Sequence, residues 1–192
     1  LWSLGLVVIV VSATTILFYP VILALNKDLI NLSVDLSRAN IGMLKVLGGA
    51  ISKRDSDTHT HNFRVTLYAV RLAETTGLSS ERMRALIKGA FLHDVGKIGV
   101  SDTILLKPGK LSNEEFEIMK DHVRHGVDII DRYKWLSDAM DVVKYHHEKF
   151  DGSGYTTALR GNDIPINARI FAIADYFDAL TSRRPYKEPF SY

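Results

Sequence analysis

The first twenty-six residues, Leu1 to Asn26, contain no charged side chain. Leu, Val and Ile dominate, and Trp2 and Tyr19 lie near the two ends. A membrane-crossing helix needs about 20 apolar residues, so this run is long enough to span. Buried core helices of this length normally carry a polar stripe, which is absent here. A secretory signal fits less well, because there is no basic leader and no small-residue cleavage site, and the apolar run is too long. Pro20 is expected to kink the helix or mark its exit. Lys27, Arg38, Lys45, Lys53 and Arg54 all lie downstream of the run. By the positive-inside bias they place the downstream part in the cytoplasm, with the chain in the inner (cytoplasmic) membrane.

Residues 27–50 read as a connecting helix. Leu29, Leu32, Leu36, Ala39, Met43, Val46 and Ala50 recur at steps of three and four. Such a stripe can pair with its copy in a second subunit to form a homodimer, or pack on its own domain. Residues 51–192 are expected to form one further domain, cut at its C-terminal end, so that the chain is a fragment of a longer protein. The net charge is only +2 and no run of Lys or Arg occurs, which argues against binding to a nucleic-acid polymer. The absence of cysteine excludes disulfides and thiolate metal sites.

The remaining pattern is helical, and no convincing strand or internal repeat is present. Val65, Leu67, Tyr68, Val70, Leu72 and Ala73 form an amphipathic stretch stopped by Gly77. Met83, Leu86, Ile87 and Ala90 form the next. Ser112-Asn113-Glu114-Glu115 is a capping-box pattern opening a helix to about Tyr133. Further helices are expected over 138–147 and 167–181. The fold class is all-α.

Seven histidines stand out by placement. Phe91-Leu92-His93-Asp94-Val95-Gly96-Lys97-Ile98-Gly99 puts an imidazole beside a carboxylate at a helix end. The neutral His can take one metal, while the two carboxylate oxygens can bridge a pair. Lys97 comes within one turn, where an ammonium can reach a phosphate oxygen. An isolated His-Asp pair more often satisfies backbone groups. The reading gains weight because Asp57, His61, His122, His146, His147 and Asp175 fall in separate helical segments. Asp57 and His61 are four apart and share a face if a helix has already begun there. Imidazole with carboxylate and no sulfur suits Fe, Mn or Zn. The ligands are too many and too dispersed for one ion, so at least two are inferred. Metals about 3.5–4 Å apart can share a hydroxide and clamp an in-line phosphoryl displacement. His59 and His125 read as surface or packing residues. Asp178 reads as a supporting group, and Glu148 and Asp151 as either supports for the His pair or solvated loop residues.

The segments His61-x-x-Arg64-Val65, Leu92-His93-Asp94-Val95-Gly96-Lys97-Ile98-Gly99, Lys107-Pro108-Gly109-Lys110-Leu111, Met119-Lys120-x-His122, His146-His147-Glu148-x-x-Asp151-Gly152-x-Gly154-Tyr155, Ala174-Asp175-x-Phe177-Asp178-Ala179-Leu180 and Arg184-Pro185-Tyr186 resemble the HD-GYP domain, a subgroup of the HD phosphohydrolases. The likeness runs from about Gly49 to Tyr192. It implies an HD-type helical bundle that hydrolyses cyclic di-GMP, with two or three divalent ions, Fe or Mn; linear pGpG is the expected first product, and a second round could give GMP. By the same resemblance His61, His93, Asp94, His122, His146, His147 and Asp175 are metal ligands, with Asp94 bridging. Lys97 contacts substrate phosphate, and Arg184 and Lys187 lie near the second phosphate. Asp57 makes the chain similar to a subset that holds a third metal. The name-giving Gly-Tyr-Pro is here Gly154-Tyr155-Thr156, a loss that frees the backbone at that position. Two other functions stay open: a non-catalytic receptor signalling through the connecting helix, and a phosphohydrolase acting on another cyclic dinucleotide or nucleotide.

Overall fold

A computed structural model describes residues 2–54 and 59–182. Asp57, Arg184 and Lys187 lie outside these residues. The chain divides into two units, Leu1–Met43 and Leu44–Tyr192. Among the described residues there is no strand, as the periodicity predicts.

Helix α1, Trp2–Arg54, is continuous and runs through Pro20. The expected kink or exit does not end it, and the two expected segments, 1–26 and 27–50, are one helix. A proline removes a single backbone donor, and an apolar helix with intact neighbouring turns can absorb that loss. In the first unit the apolar side chains are exposed, Trp2, Ile16 and Leu25 among them. The helix is long and apolar enough to cross a membrane by length and composition.

The second unit contains the helices that build a core. Helix α2 is His59–Thr75, α3 is Ser80–Leu92 and α4 is the short Asp102–Leu105. Helix α5 is Asn113–Asp131, α6 is Met140–Tyr145 and α7 is Ile166–Thr181. Short 3-10 turns cover Val95–Gly99, Lys134–Ala139 and Gly161–Asp163. The region expected as one helix over 138–147 is thus a 3-10 turn followed by a short α6.

Local signals set the ends. Gly77 adopts φ of +68°, and the Leu78 N–H bonds back to the Ala73 carbonyl, closing α2. Ser79 accepts from the Arg82 N–H at the start of α3. Both halves of the Ser112/Glu115 capping box are formed at the start of α5.

Helix α3 is central. Its Leu86 and Ala90 pack with Val65 and Ala69 of α2, Val142 of α6 and Phe171 of α7. Its Phe91 and Leu92 pack instead with Leu44, Val95, Ile130 of α5 and Val143 of α6. Leu86, Leu92, Ile130 and Phe171 are fully buried, each contributing about 1.5–3 kcal/mol through apolar burial. Because α3 is gripped on both sides, its C-terminal end is held firmly, and His93 and Asp94 stand directly beyond that end.

A candidate metal centre between the helices

The turn after α3 is pressed against α5. A Cβ built on Gly96 would lie 1.8 Å from the His122 carbonyl oxygen, so no larger residue fits there. That contact brings Asp94 beside His122. His146 caps the C-terminal end of α6, α2 supplies His61 from its first turns, and α7 supplies Asp175. His61, His93, Asp94, Lys97, His122, His146, His147, Tyr155 and Asp175 all line one cavity of about 340 Å³. A larger apolar groove of about 720 Å³ runs along α7, past Phe150, Ile173 and Tyr176, and holds none of these groups.

The imidazoles are oriented by their outer nitrogens. His93 Nδ1 lies 2.9 Å from the Ala90 carbonyl, His122 Nδ1 2.8 Å from the Met119 carbonyl, and His146 Nδ1 3.1 Å from both the Val142 and Val143 carbonyls. His61 Nδ1 lies 2.7 Å from Asp178 Oδ2. A carbonyl or carboxylate oxygen can only accept, so each Nδ1 carries the hydrogen. In the neutral ring each Nε2 then presents a lone pair. His122 Nε2 and His146 Nε2 face each other at 3.4 Å. Two bare lone pairs at that distance repel unless a cation or a proton sits with them.

Asp94 divides its oxygens. Oδ2 lies 3.0 Å from His93 Nε2 and 2.7 Å from Lys97 Nζ, while Oδ1 lies 3.5 Å from His122 Nε2. One ligand atom from each of Asp94, His122, His146 and His147 falls within 4.8 Å of all the others. His61 Nε2 is 3.5 Å from Asp175 Oδ1, and both residues line the same cavity. The donor set, nitrogen and oxygen without sulfur, fits a divalent ion of the Fe, Mn or Zn kind.

The electrostatics agree with this arrangement. Burial lowers the pKa of His146, reinforced by the neighbouring His147. Burial and His122 bring His147 down to about 3. His122 is lowered by burial, which outweighs the opposing pull of Asp94. These three rings are neutral at neutral pH and keep their lone pairs. His93 differs: burial lowers it, but the Asp94 carboxylate outweighs burial and the net shift is upward. Burial opposes the charge on Asp94, yet His93 and Lys97 hold its carboxyl well below the usual range.

Other expected residues fall elsewhere. His125 packs its ring against Gly99, away from the cluster. Glu148 does not hold the His pair and is not solvated: it is buried, and its Oε1 accepts from the Thr157 N–H and hydroxyl at 2.8 and 2.9 Å. It pins the loop after Tyr155. Asp151 is exposed and accepts from the Ser153 N–H, a loop role. Thr156 has φ of +104°, where a proline ring cannot go. Tyr155 stacks on His147 with centroids 4.4 Å apart, walling the cavity. Sequence reasoning does not assign that wall, although the Gly-Tyr motif beside the His pair points at the loop.

An all-α bundle gathering imidazoles and carboxylates from successive helices around His93-Asp94 is the arrangement of an HD domain. The family model described as HD domain matches residues 45–192, and the chain belongs to that family. The chain is 44% identical over 171 residues to the 3'3'-cGAMP-specific phosphodiesterase 2 of Vibrio cholerae, covering 88% of this chain and 33% of that protein. It is 46% identical over 149 residues to a cyclic di-GMP phosphodiesterase of Thermotoga maritima, covering 77% of this chain and 40% of that one. In fold it is similar to a solved cyclic GMP-AMP-specific phosphodiesterase of V. cholerae, with a TM-score of 0.57 at 16% identity, over 72% of this chain and 40% of that one. The chain thus spans between a third and two fifths of the length of these relatives.

Proposed function

We propose that this chain carries the catalytic domain of a metal-dependent cyclic-dinucleotide phosphodiesterase, anchored in the cytoplasmic membrane by α1 and acting on cyclic di-GMP in the cytoplasm. One observation carries the reading: Asp94 turns one oxygen to His93 and the other to His122, while the His122 and His146 Nε2 atoms face each other unshielded. That is a cluster made to be filled by cations. His61, His93, Asp94, His122, His146, His147 and Asp175 are the residues that would hold the ions in this reading. Asp57 would add a third ion, and Arg184 and Lys187 would meet the second phosphate.

When bound, the ions supply Lewis acidity and a water that ionises near neutral pH. The protein supplies the rest. The Nδ1 hydrogen bonds lock the rings so that no reorganisation is needed on binding. Lys97, 2.7 Å from Asp94 Oδ2, is close enough to turn its ammonium onto a non-bridging phosphate oxygen as charge builds there. Tyr155, stacked on His147, shields one side of the cavity from water. Displacement of the ribose 3′ oxygen from one phosphorus opens the ring to pGpG. A second round on the linear product releases GMP.

A second substrate has a specific observation behind it. The relative matched over 88% of this chain is named for 3'3'-cGAMP, while the Thermotoga relative is named for cyclic di-GMP. The two dinucleotides share the phosphodiester ring and differ in one base. The test is a substrate panel with the detergent-solubilised chain, loaded with Mn or ferrous iron under reducing conditions, with products identified by mass spectrometry. Hydrolysis of cyclic di-GMP to pGpG supports the proposal. Preference for 3'3'-cGAMP moves the substrate. Binding of either dinucleotide by metal-loaded protein without any linear product supports a receptor instead.

A further inference from the structure

The last turns of α1 bracket the His93-Asp94 stretch. On the upstream side, Gly48 packs so closely that a Cβ there would lie 2.8 Å from the Phe91 carbonyl oxygen. Leu44, Gly48 and Ser52 are the buried residues of this helix. On the downstream side, the Arg54 guanidinium gathers the turn that carries Lys97. Its Nη1 donates to the carbonyls of Lys97 and Ile98, each at 2.9 Å. Its Nη2 donates to the Val100 carbonyl at 2.7 Å and to Asp102 Oδ1 at 2.8 Å, and Nε donates to the same Asp102 oxygen at 3.1 Å.

One planar cation therefore ties together three carbonyls and a carboxylate within six residues. Only a guanidinium has enough donors, in a fixed fork, to do so; an ammonium on a flexible stem cannot. The same turn is pressed on its other side against α5 at Gly96, beside the His122 carbonyl. Lys97 thus sits on a turn held between α5 and the end of α1.

We infer that Arg54 is a positioning residue for Lys97, and that through it the setting of α1 controls where the Lys97 ammonium stands relative to Asp94. Arg54 touches neither the cavity nor the reacting atoms; it acts through the turn. A shift or rotation of the end of α1 would carry the carbonyls of residues 97–100 with it, while Gly96 stays against α5. The Lys97 ammonium would then leave its place beside Asp94. An ångström of misplacement of such a group can cost about a hundredfold in rate. This inference rests on the reading of Lys97 as the group that meets substrate phosphate.

The test uses the full chain and its Arg54→Lys and Arg54→Ala variants, with helicity checked by circular dichroism. Three quantities are measured: bound manganese per chain, amide hydrogen exchange over residues 97–104, and kcat/KM on the cyclic dinucleotide that the wild type hydrolyses. Unchanged manganese content is expected. Exchange over 97–104 should quicken in both variants, and kcat/KM should fall by about ten- to a hundredfold. In a Lys97→Ala background the Arg54 substitutions should change kcat/KM by much less, because the group they position is gone. Unchanged exchange, or an equal fall in both backgrounds, overturns the inference. So does rescue by Arg54→Lys, which retains the charge and loses the fork. A wild type that hydrolyses neither dinucleotide removes the catalytic half of the inference along with the proposed function. The clamp itself is then still decided by the exchange data.

Discussion

Asp178 Oδ2 stands 2.7 Å from His61 Nδ1, and this contact decides which nitrogen of His61 faces the cavity. Asp178 is fully buried, on α7 one turn beyond Asp175. Its charge is matched by Arg64, whose Nε and Nη2 lie 2.7 and 3.0 Å from the two carboxylate oxygens, and by the Ser182 hydroxyl at 2.8 Å. Burial raises the Asp178 pKa, but the His61, Arg64 and Ser182 hydrogen bonds outweigh it and hold the carboxyl far below its usual range. The residue is an anion that aims His61 Nε2 inward.

Asp178→Asn keeps the shape and removes the charge. Losing such a support behind a ligating imidazole typically weakens metal affinity about 10- to 100-fold. Manganese titration monitored by electron paramagnetic resonance should show that loss in the wild-type background. With His61→Ala already present, Asp178→Asn should add little. An equal loss in both backgrounds would mean that Asp178 serves the fold and not His61.

Stability of the metal-free protein should fall on acidification below neutral pH. His147 has a folded pKa of about 3 against an ordinary value of 6.5, and His122 and His146 are also lowered. For a lowered histidine the unfolded chain binds more protons between the two values, so folding weakens as pH drops through that window. His93, whose pKa is raised, works in the opposite sense, adding stability that is lost as pH rises. The large lowering of His147 and His146 outweighs the rise of His93 and gives a net fall. Thermal denaturation in chelator from mildly alkaline to mildly acidic pH should therefore show Tm decreasing as the solution passes below the ordinary histidine value of 6.5. A flat or rising Tm over that range would show that the rings are not buried as neutral species.

Thr156 occupies φ of +104°, a region costly for a β-branched residue. Glycine relieves that cost of about 1–3 kcal/mol and gives back about 0.5–1 kcal/mol through the greater freedom of the unfolded chain. Thr156→Gly should therefore stabilise by about 1 kcal/mol, read as a rise in denaturation midpoint. Thr156→Pro should lower it, because the ring cannot reach this φ without rebuilding the loop. A stabilising proline would mean that the loop takes another conformation in solution.

Much of the fold is legible in the sequence. Apolar periodicity marks α2 and α3, Gly77 marks an end, and Ser112 with Glu115 marks a beginning, because caps and amphipathic faces are local. Local signals are weaker where one helix type meets another. The expected helix over 138–147 merges a 3-10 turn with the short α6, and Pro20, expected to kink the helix or mark its exit, does not end α1. The contacts that set the site are not local. Arg64 and Asp178 are 114 residues apart and Arg54 and Asp102 are 48 apart. Nothing in the spacing of either pair distinguishes a buried partner from a solvated charge. Glu148 escapes a sequence reading for the same reason: its partner, Thr157, lies beyond a turn whose path only the folded loop reveals.

The most direct measurement is metal content and turnover made together on the wild type and Asp94→Ala, after loading with manganese under reducing conditions. If ions held between the helices run the reaction, the wild type binds at least two per chain and hydrolyses a cyclic dinucleotide, and Asp94→Ala loses both. Hydrolysis retained by Asp94→Ala, with its metal content unchanged, would contradict this mechanism.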